Sequence, residues 1–315
     1  MTMNRRLIVP AALALAAACR GPAVPQVPTP RRAAERAARE AVANERALDP
    51  ASLGARTVGV VPLTVSGPDT TYASLGYAMA DLLVTDLSQS AALQLVERGR
   101  VDALLRELSL GAGGRVDTVT APRVGRLVGA RRLIVGAVRV QPSGRLEVSA
   151  RVADATTGAV QCGVTAGTTT DDVLAAEKGI AFLLFQQLGV NLTPAERAAV
   201  DRRPTSNLTA LLAYGRAVRA EAEGRYDAAF EEYRKALRAD PGFTLAATRM
   251  SDLVPAVGGS FGLLPSTRGA VATATERLAP SIISPAVGGA NPGGPSDATF
   301  PARGATVVIT VISAP

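Results

Sequence analysis

The sequence predicts an α/β (α+β) sandwich: a mixed sheet with helices over one face, in the order β-α-β-α-α-β-β-β-α, followed by an all-α helical hairpin. Three observations carry this. β-branched runs such as TVGVVPL (57–63) alternate with segments whose apolar residues recur at helical spacing. Three strand-like runs then follow one another across short turns. Beyond them, residues 207–252 show two helical patterns hinged at a glycine.

Each element has its own signal. TVGVVPL reads as a strand, with Pro62 near its end, and SGPDT as a turn. From Tyr72 to Ser88, Leu75, Met79, Leu82, Leu83 and Leu87 share one helical face. LQLVE (93–97) is a second strand. Val101, Leu104, Leu105 and Leu108 stand at i, i+3, i+4 and i+7 and demand a helix. Thr120-Ala121-Pro122 opens a short helix with Thr120 as N-cap, Val124, Leu127 and Val128 as its apolar side, and Gly129 as its stop. RLIVGAVRV (132–140), RLEVSARVAD (145–154) and AVQCGVTAG (159–167) are three successive strands. In the middle one, Leu146, Val148, Ala150 and Val152 alternate with Arg145, Glu147, Ser149 and Arg151, the mark of one packed and one wet face. Thr170-Asp171-Asp172 caps a last helix reaching Leu188.

The flanks are different in kind. Residues 1–19 read as a signal peptide: Arg5-Arg6, then the 12-residue apolar run Leu7 to Ala18, shorter than the roughly 20 residues a spanning helix needs. The run ends Leu15-Ala16-Ala17-Ala18-Cys19, which resembles a bacterial lipobox, with Ala16 where Leu is usual. Cys19 is the expected lipidation site. An ordinary A-x-A cleavage site is the competing reading. Residues 20–55 comprise a tether with prolines at 22, 25, 28 and 30 and then an Ala/Arg helix. That helix has no apolar stripe beyond Ala, Val42 and Leu48 and reads as a solvated spacer. Residues 254–315 form a Gly/Pro-rich tail ending in the β-prone GATVVITVISAP, expected to pair as an edge strand of its own sheet, with donation to a partner as the alternative.

Composition removes several classes of function. With no His, Ser-His-Asp and Cys-His catalysis and His-built zinc sites are excluded. Of the 34 basic residues only Lys178 and Lys235 are lysine. Across residues 56–170, 12 basic and 9 acidic side chains are interleaved, with no basic block of the kind that tracks nucleic acid. Gly111-Ala-Gly-Gly114 lacks the Lys of a phosphate loop. Asp171-Asp172 reads as a helix start and Glu231-Glu232 as a solvated face. Cys162 is alone once the leader is set aside. The reading is therefore a non-enzyme with no cofactor and no metal. Glu97-Arg98 reads as a corner where a strand becomes a helix.

The stretches VGVVPL, Leu75-Gly76, Ala80-Asp81-Leu82-Leu83, LQLVERGRVDALLREL, VGRLVGARRLIVGAV and VADATTGAV resemble, in order and spacing, the curli-secretion CsgG domain over residues 56–189. Related folds are the FlgO type, the N-terminal domain of TolB and the penicillin-binding-protein activator LpoB. The resemblance implies a periplasmic protein, tethered at the inner leaflet of the outer membrane, that assembles with other envelope proteins. A pore-forming CsgG subunit carries two membrane-crossing hairpins, on the order of 40 extra residues, and the loops of this chain leave no room for them. Residues 190–253 resemble a single tetratricopeptide (TPR) repeat through Tyr214, Ala217, Gly224, Tyr226, Ala229, Tyr233, Ala236 and Pro241, with Arg216 in an apolar position. One repeat needs a neighbour to stack on. Tyr214, Tyr226, Phe230 and Tyr233 are its candidate partner-binding residues. The function these resemblances imply is a scaffold or adaptor lipoprotein in envelope assembly or secretion. The alternatives are a CsgG-like secretion-complex subunit that forms a homo-oligomer without pore hairpins, and a regulator of a cell-wall synthase.

Overall fold

The computed structural model describes residues 30–109, 116–160, 163–169, 172–257 and 308–312. The signal peptide, Cys19, the proline-rich tether, the Gly111–Gly114 loop, Cys162 and most of the tail lie outside them. Among the described residues there are seven strands: β1 (Thr57–Val60), β2 (Thr64–Ser66), β3 (Gln94–Leu95), β4 (Arg132–Val140), β5 (Leu146–Asp154), β6 (Gly163–Thr168) and β7 (Val308–Ile312). The helices are α1 (Pro30–Ala43), α2 (Leu75–Leu87), α3 (Arg98–Glu107), α4 (Ala121–Val128), α5 (Val173–Gln187), α6 (Pro194–Val200), α7 (Leu208–Ala222), α8 (Tyr226–Ala239) and α9 (Thr244–Val257).

The sheet runs β3-β1-β4-β5-β6-β7, and β2 also pairs with β4. β1 is parallel to β3 and β4, whereas β4, β5, β6 and β7 are successively antiparallel. The mixed character follows from the connections: helices return the chain between β1, β3 and β4, and tight turns join β4 to β5. β2 is an element that the expected turn concealed. The tail strand β7 pairs with β6, Gly163 opposite Ile312, so the domestic edge strand is the observed arrangement.

The alternation in β5 sends Leu146, Val148, Ala150 and Val152 into the main core beneath α2 and α5. Helices over one face is thus an accurate description of the hairpin strands. β1 and the start of β4 are covered on both sides, because α1, α3 and α4 build a second cluster with Val61, Leu133 and Val135 on the opposite face. Val101, Leu104 and Leu105 of α3 lie in that second cluster, as their spacing demands.

Two expectations need correction. The Ala/Arg helix is docked, not solvated: α1 seats Ala34, Ala38, Ala41 and Val42 against the second cluster, and Ala38 is buried. Thr120 occupies the N-cap position of α4 but makes no side-chain cap bond; Asp117 fixes the turn before the helix instead, accepting from the Thr120 amide at 2.8 Å. Gly129 ends α4 in the left-handed conformation, φ 77°.

The helical module does not stand apart. Residues of α7, α8 and α9 belong to the same main core as the sheet and α2. α7 crosses the start of α2 so closely that a Cβ on Gly215 would come within 2.3 Å of the Ser74 carbonyl oxygen. Ser74 answers by donating its hydroxyl to the Leu212 carbonyl at 3.1 Å. Gly224 turns the chain from α7 to α8 at φ 78°, a conformation that disfavours any side chain.

Candidate functional site

The corner at 93–108 divides its charges. β3 is only two residues long, and Glu97 at its exit is exposed and makes no cap bond to α3. Arg98, the first residue of α3, turns inward. Its guanidinium donates to Asp81 Oδ1 of α2 at 2.7 Å and to Glu221 of α7, and lies 3.5 Å from Asp102 one turn along α3. Asp81 is wholly buried and also accepts the Tyr214 hydroxyl and, at 2.5 Å, the guanidinium of Arg249 from α9. Tyr233 of α8 donates its hydroxyl to Glu221 at 2.8 Å. Five helices thus meet on one buried network of alternating charge, two from the sheet domain and three from the helical module.

The surroundings set the protonation states. Burial works against the charge on Arg98, but Asp81, Glu221 and Asp102 hold its pKa well above the ordinary guanidinium value. Burial pushes Asp102 up to about 6, against the pull of Arg98 and Arg106. Burial raises both Tyr214 and Tyr233, and adjacent carboxylates add to it, so both hydroxyls stay protonated donors. Three acids, two arginines and two phenols with every charge already partnered form a lock between elements. The arrangement presents no free nucleophile with a base beside it.

A second buried group lies one turn and a half further along α2. Lys178 of α5 donates to both oxygens of Asp86, at 2.8 and 2.7 Å. Its ammonium is 3.4 Å from Glu177. No hydrogen-bond partner among the described residues meets either Glu177 oxygen. Burial and the nearby Asp86 raise Glu177 well above its ordinary value and outweigh Lys178. Burial raises Asp86 as well, against Lys178. A cleft of about 380 Å³ opens over the Asp86–Lys178 pair, between α2, α5, the connector after α6, and α9.

The aromatic residues expected to meet a partner divide into two sets. Tyr214 and Tyr233 are fully buried, with ring centroids 5.5 Å apart, and Tyr214 also packs on Phe243 at 4.9 Å. They hold the module together and present nothing to a partner. Tyr226 and Phe230 are half-buried on α8. Arg31 of α1 lies over the Tyr226 ring, 5.8 Å from its centroid, and donates to the Gly224 carbonyl at 3.4 Å. Cys19 lies outside the described residues. No group of three or more Cys, Asp or Glu among the described residues is placed to hold a metal ion. In the sequence Asp81 stands out only as part of the CsgG-like stretch Ala80-Asp81-Leu82-Leu83, and Asp102, Glu221 and Arg249 are not among the candidate site residues. They lie far apart in the chain, and their only local signal is a charge set within an apolar helical face, as Asp81 is between Met79 and Leu82.

Comparison with known proteins agrees with the first half of this architecture. Residues 55–141 match the family model for the curli production assembly/transport component CsgG. That span runs from β1 to β4, taking in α2, α3 and α4, and stops before β5, β6 and the helical module. No curated protein matches the chain. Among solved structures, the LpoB C-terminal domain from Salmonella enterica is similar at 14% identity and a TM-score of 0.29, over 43% of this chain and 98% of that one. The chain thus contains a CsgG-like segment, residues 55–141, set in a larger body.

Proposed function

We propose that the protein is a non-catalytic adaptor of the cell envelope, held at the periplasmic side of the outer membrane through a lipid on Cys19. The observation that carries the reading is the CsgG match over residues 55–141, a family whose description is of assembly and transport. The buried network supports it. Asp81, Arg98, Glu221 and Arg249 fasten a helical module to the CsgG-like segment, which suits a protein that presents one surface in fixed relation to another. The partner-facing residues in this reading are the half-buried Tyr226 and Phe230 on the TPR-like pair. Among the described residues no helix is long and apolar enough to cross a membrane.

The same match favours a second reading, a secretion-complex subunit that assembles into a homo-oligomer. Light scattering on the purified full chain separates the two: a monomer supports the adaptor, and a discrete ring supports the subunit. Capture from solubilised envelopes tests both, since recovery of no envelope partner and no second copy would sink each. Palmitate labelling that persists in Cys19→Ala would refute the anchor.

A further inference from the structure

The cleft over Asp86 and Lys178 belongs to neither the network at Asp81 nor the half-buried aromatics on α8. Its volume, about 380 Å³, lies within the range of small-molecule sites, and it opens where the sheet domain meets the helical module, a favoured place for such sites. Its two ends differ chemically. At the floor, Lys178 turns two donors to the Asp86 oxygens, and its ammonium lies 3.4 Å from Glu177. Each Asp86 oxygen accepts one of these bonds and keeps a further lone pair, which is the acceptor capacity the floor offers a ligand. At the rim, Arg202 and Arg203 are exposed and form no ion pair or hydrogen bond among the described residues. Two unpaired guanidiniums are the side chains best matched to a planar acid. Between the ends, Leu82 and Leu245 give the wall an apolar stretch.

We infer that this cleft binds a small organic acid of the amino-acid class, its carboxylate between Arg202 and Arg203 and its ammonium on Asp86. A dianionic phosphate fits less well, because it would bring a second negative charge toward Asp86 and leave the floor acceptor without a donor. The buried Asp86–Lys178 pair then has a role beyond packing: Lys178 holds Asp86 in place, and Asp86 faces the ligand. The inference is independent of whether the protein is an adaptor or an oligomer subunit.

Calorimetric titration and saturation-transfer NMR on the full chain test it. The probes are the ω-amino acids from glycine to 6-aminohexanoate, with butyrate, butylamine and inorganic phosphate alongside. At least one ω-amino acid is expected to saturate at millimolar concentration or below, with butyrate and butylamine at least tenfold weaker. Arg202→Ala/Arg203→Ala is expected to weaken that binding at least tenfold, and Lys235→Ala, on the outer face of α8, to leave it unchanged. Asp86→Asn sits in a buried pair and risks the fold, so the exposed arginines carry the test. The inference is overturned if no ω-amino acid saturates, if butyrate or phosphate binds as well as the best of them, or if the double arginine variant still binds.

Discussion

Two helical seams hold the molecule together, and they are built from different materials. The seam between α2 and the α7–α9 module combines large buried rings, Tyr214, Tyr233 and Phe243, with a network in which Asp81 is fully buried and Arg98 is 16% exposed. The seam between α1 and the α3–α4 pair uses methyl groups, chiefly Ala34, Ala38 and Ala41. The ion pair beside it, from Glu45 just after α1 to Arg123, is 30% and 47% exposed. Each buried methyl contributes about 0.8 kcal/mol, whereas a truncated large buried ring costs about 3–5 kcal/mol. The comparison teaches that the helical module is part of the folded body, and that α1 is held by smaller side chains than the module is.

The sharpest way to break the first seam is Asp81→Ala. It leaves the part-buried Arg249 without its carboxylate, Arg98 with one fewer, and the Tyr214 hydroxyl without an acceptor. The expected loss is about 3–5 kcal/mol, read as a shift of the denaturation midpoint in urea. A second effect is expected of Asp102, and its sign is set by the raised pKa. The unfolded carboxyl titrates near 3.8 and the native one near 6, so both states hold the proton below pH 3.8, and between the two values only the native state does. Stability from this group is therefore full at low pH and is lost as pH rises from about 4 to about 6. The loss is about 3 kcal/mol at most, from a shift of about two units. Asp102→Asn removes that dependence, so its stability relative to the parent should rise between pH 4 and pH 7; a difference that stays flat across this range would refute the assignment.

The second seam should respond least. Arg123→Ala removes a bidentate pair with Glu45, 2.7 Å on each arm, but at a half-exposed site. The expected cost is below about 1 kcal/mol and shrinks further in high salt. Hydrogen exchange sharpens the contrast: amides of α1 should exchange faster than those of α7. Equal protection would remove the distinction between the seams.

What the sequence made legible follows the same divide. α3 was readable because Val101, Leu104 and Leu105 are large enough to make its spacing unmistakable, and β5 because its apolar and polar residues alternate from Leu146 to Val152. α1 has equally regular spacing in Ala34, Ala38 and Ala41, but alanine tolerates burial and exposure alike, so the stripe did not announce a contact. β2 was hidden by the proline and the turn residues around it. The network at Asp81 could not be read at all. Arg98 and Glu221 stand 123 positions apart, and nothing local to either names the other. CsgG-like architecture was visible in residues 56–189, and the matched span covers its first part. Of the aromatic candidates, spacing alone could not say which side of the helix pair would be covered, and Asp81 of α2 and Phe243 meet Tyr214 while α1 reaches Tyr226.

The antiparallel contact between β6 and β7 closes a circuit through nearly half the chain, since Gly163 must wait for Ile312. A contact of that separation carries a high loop-closure cost and forms late. If the chain is delivered across a membrane with its N-terminus first, the outer edge of β6 stays bare until the last residues have arrived. During that interval the edge can pair with any extended segment that reaches it. The order of delivery thus defines a period in which this strand is open to chaperones, to other copies of the chain, or to a partner that supplies a strand of its own.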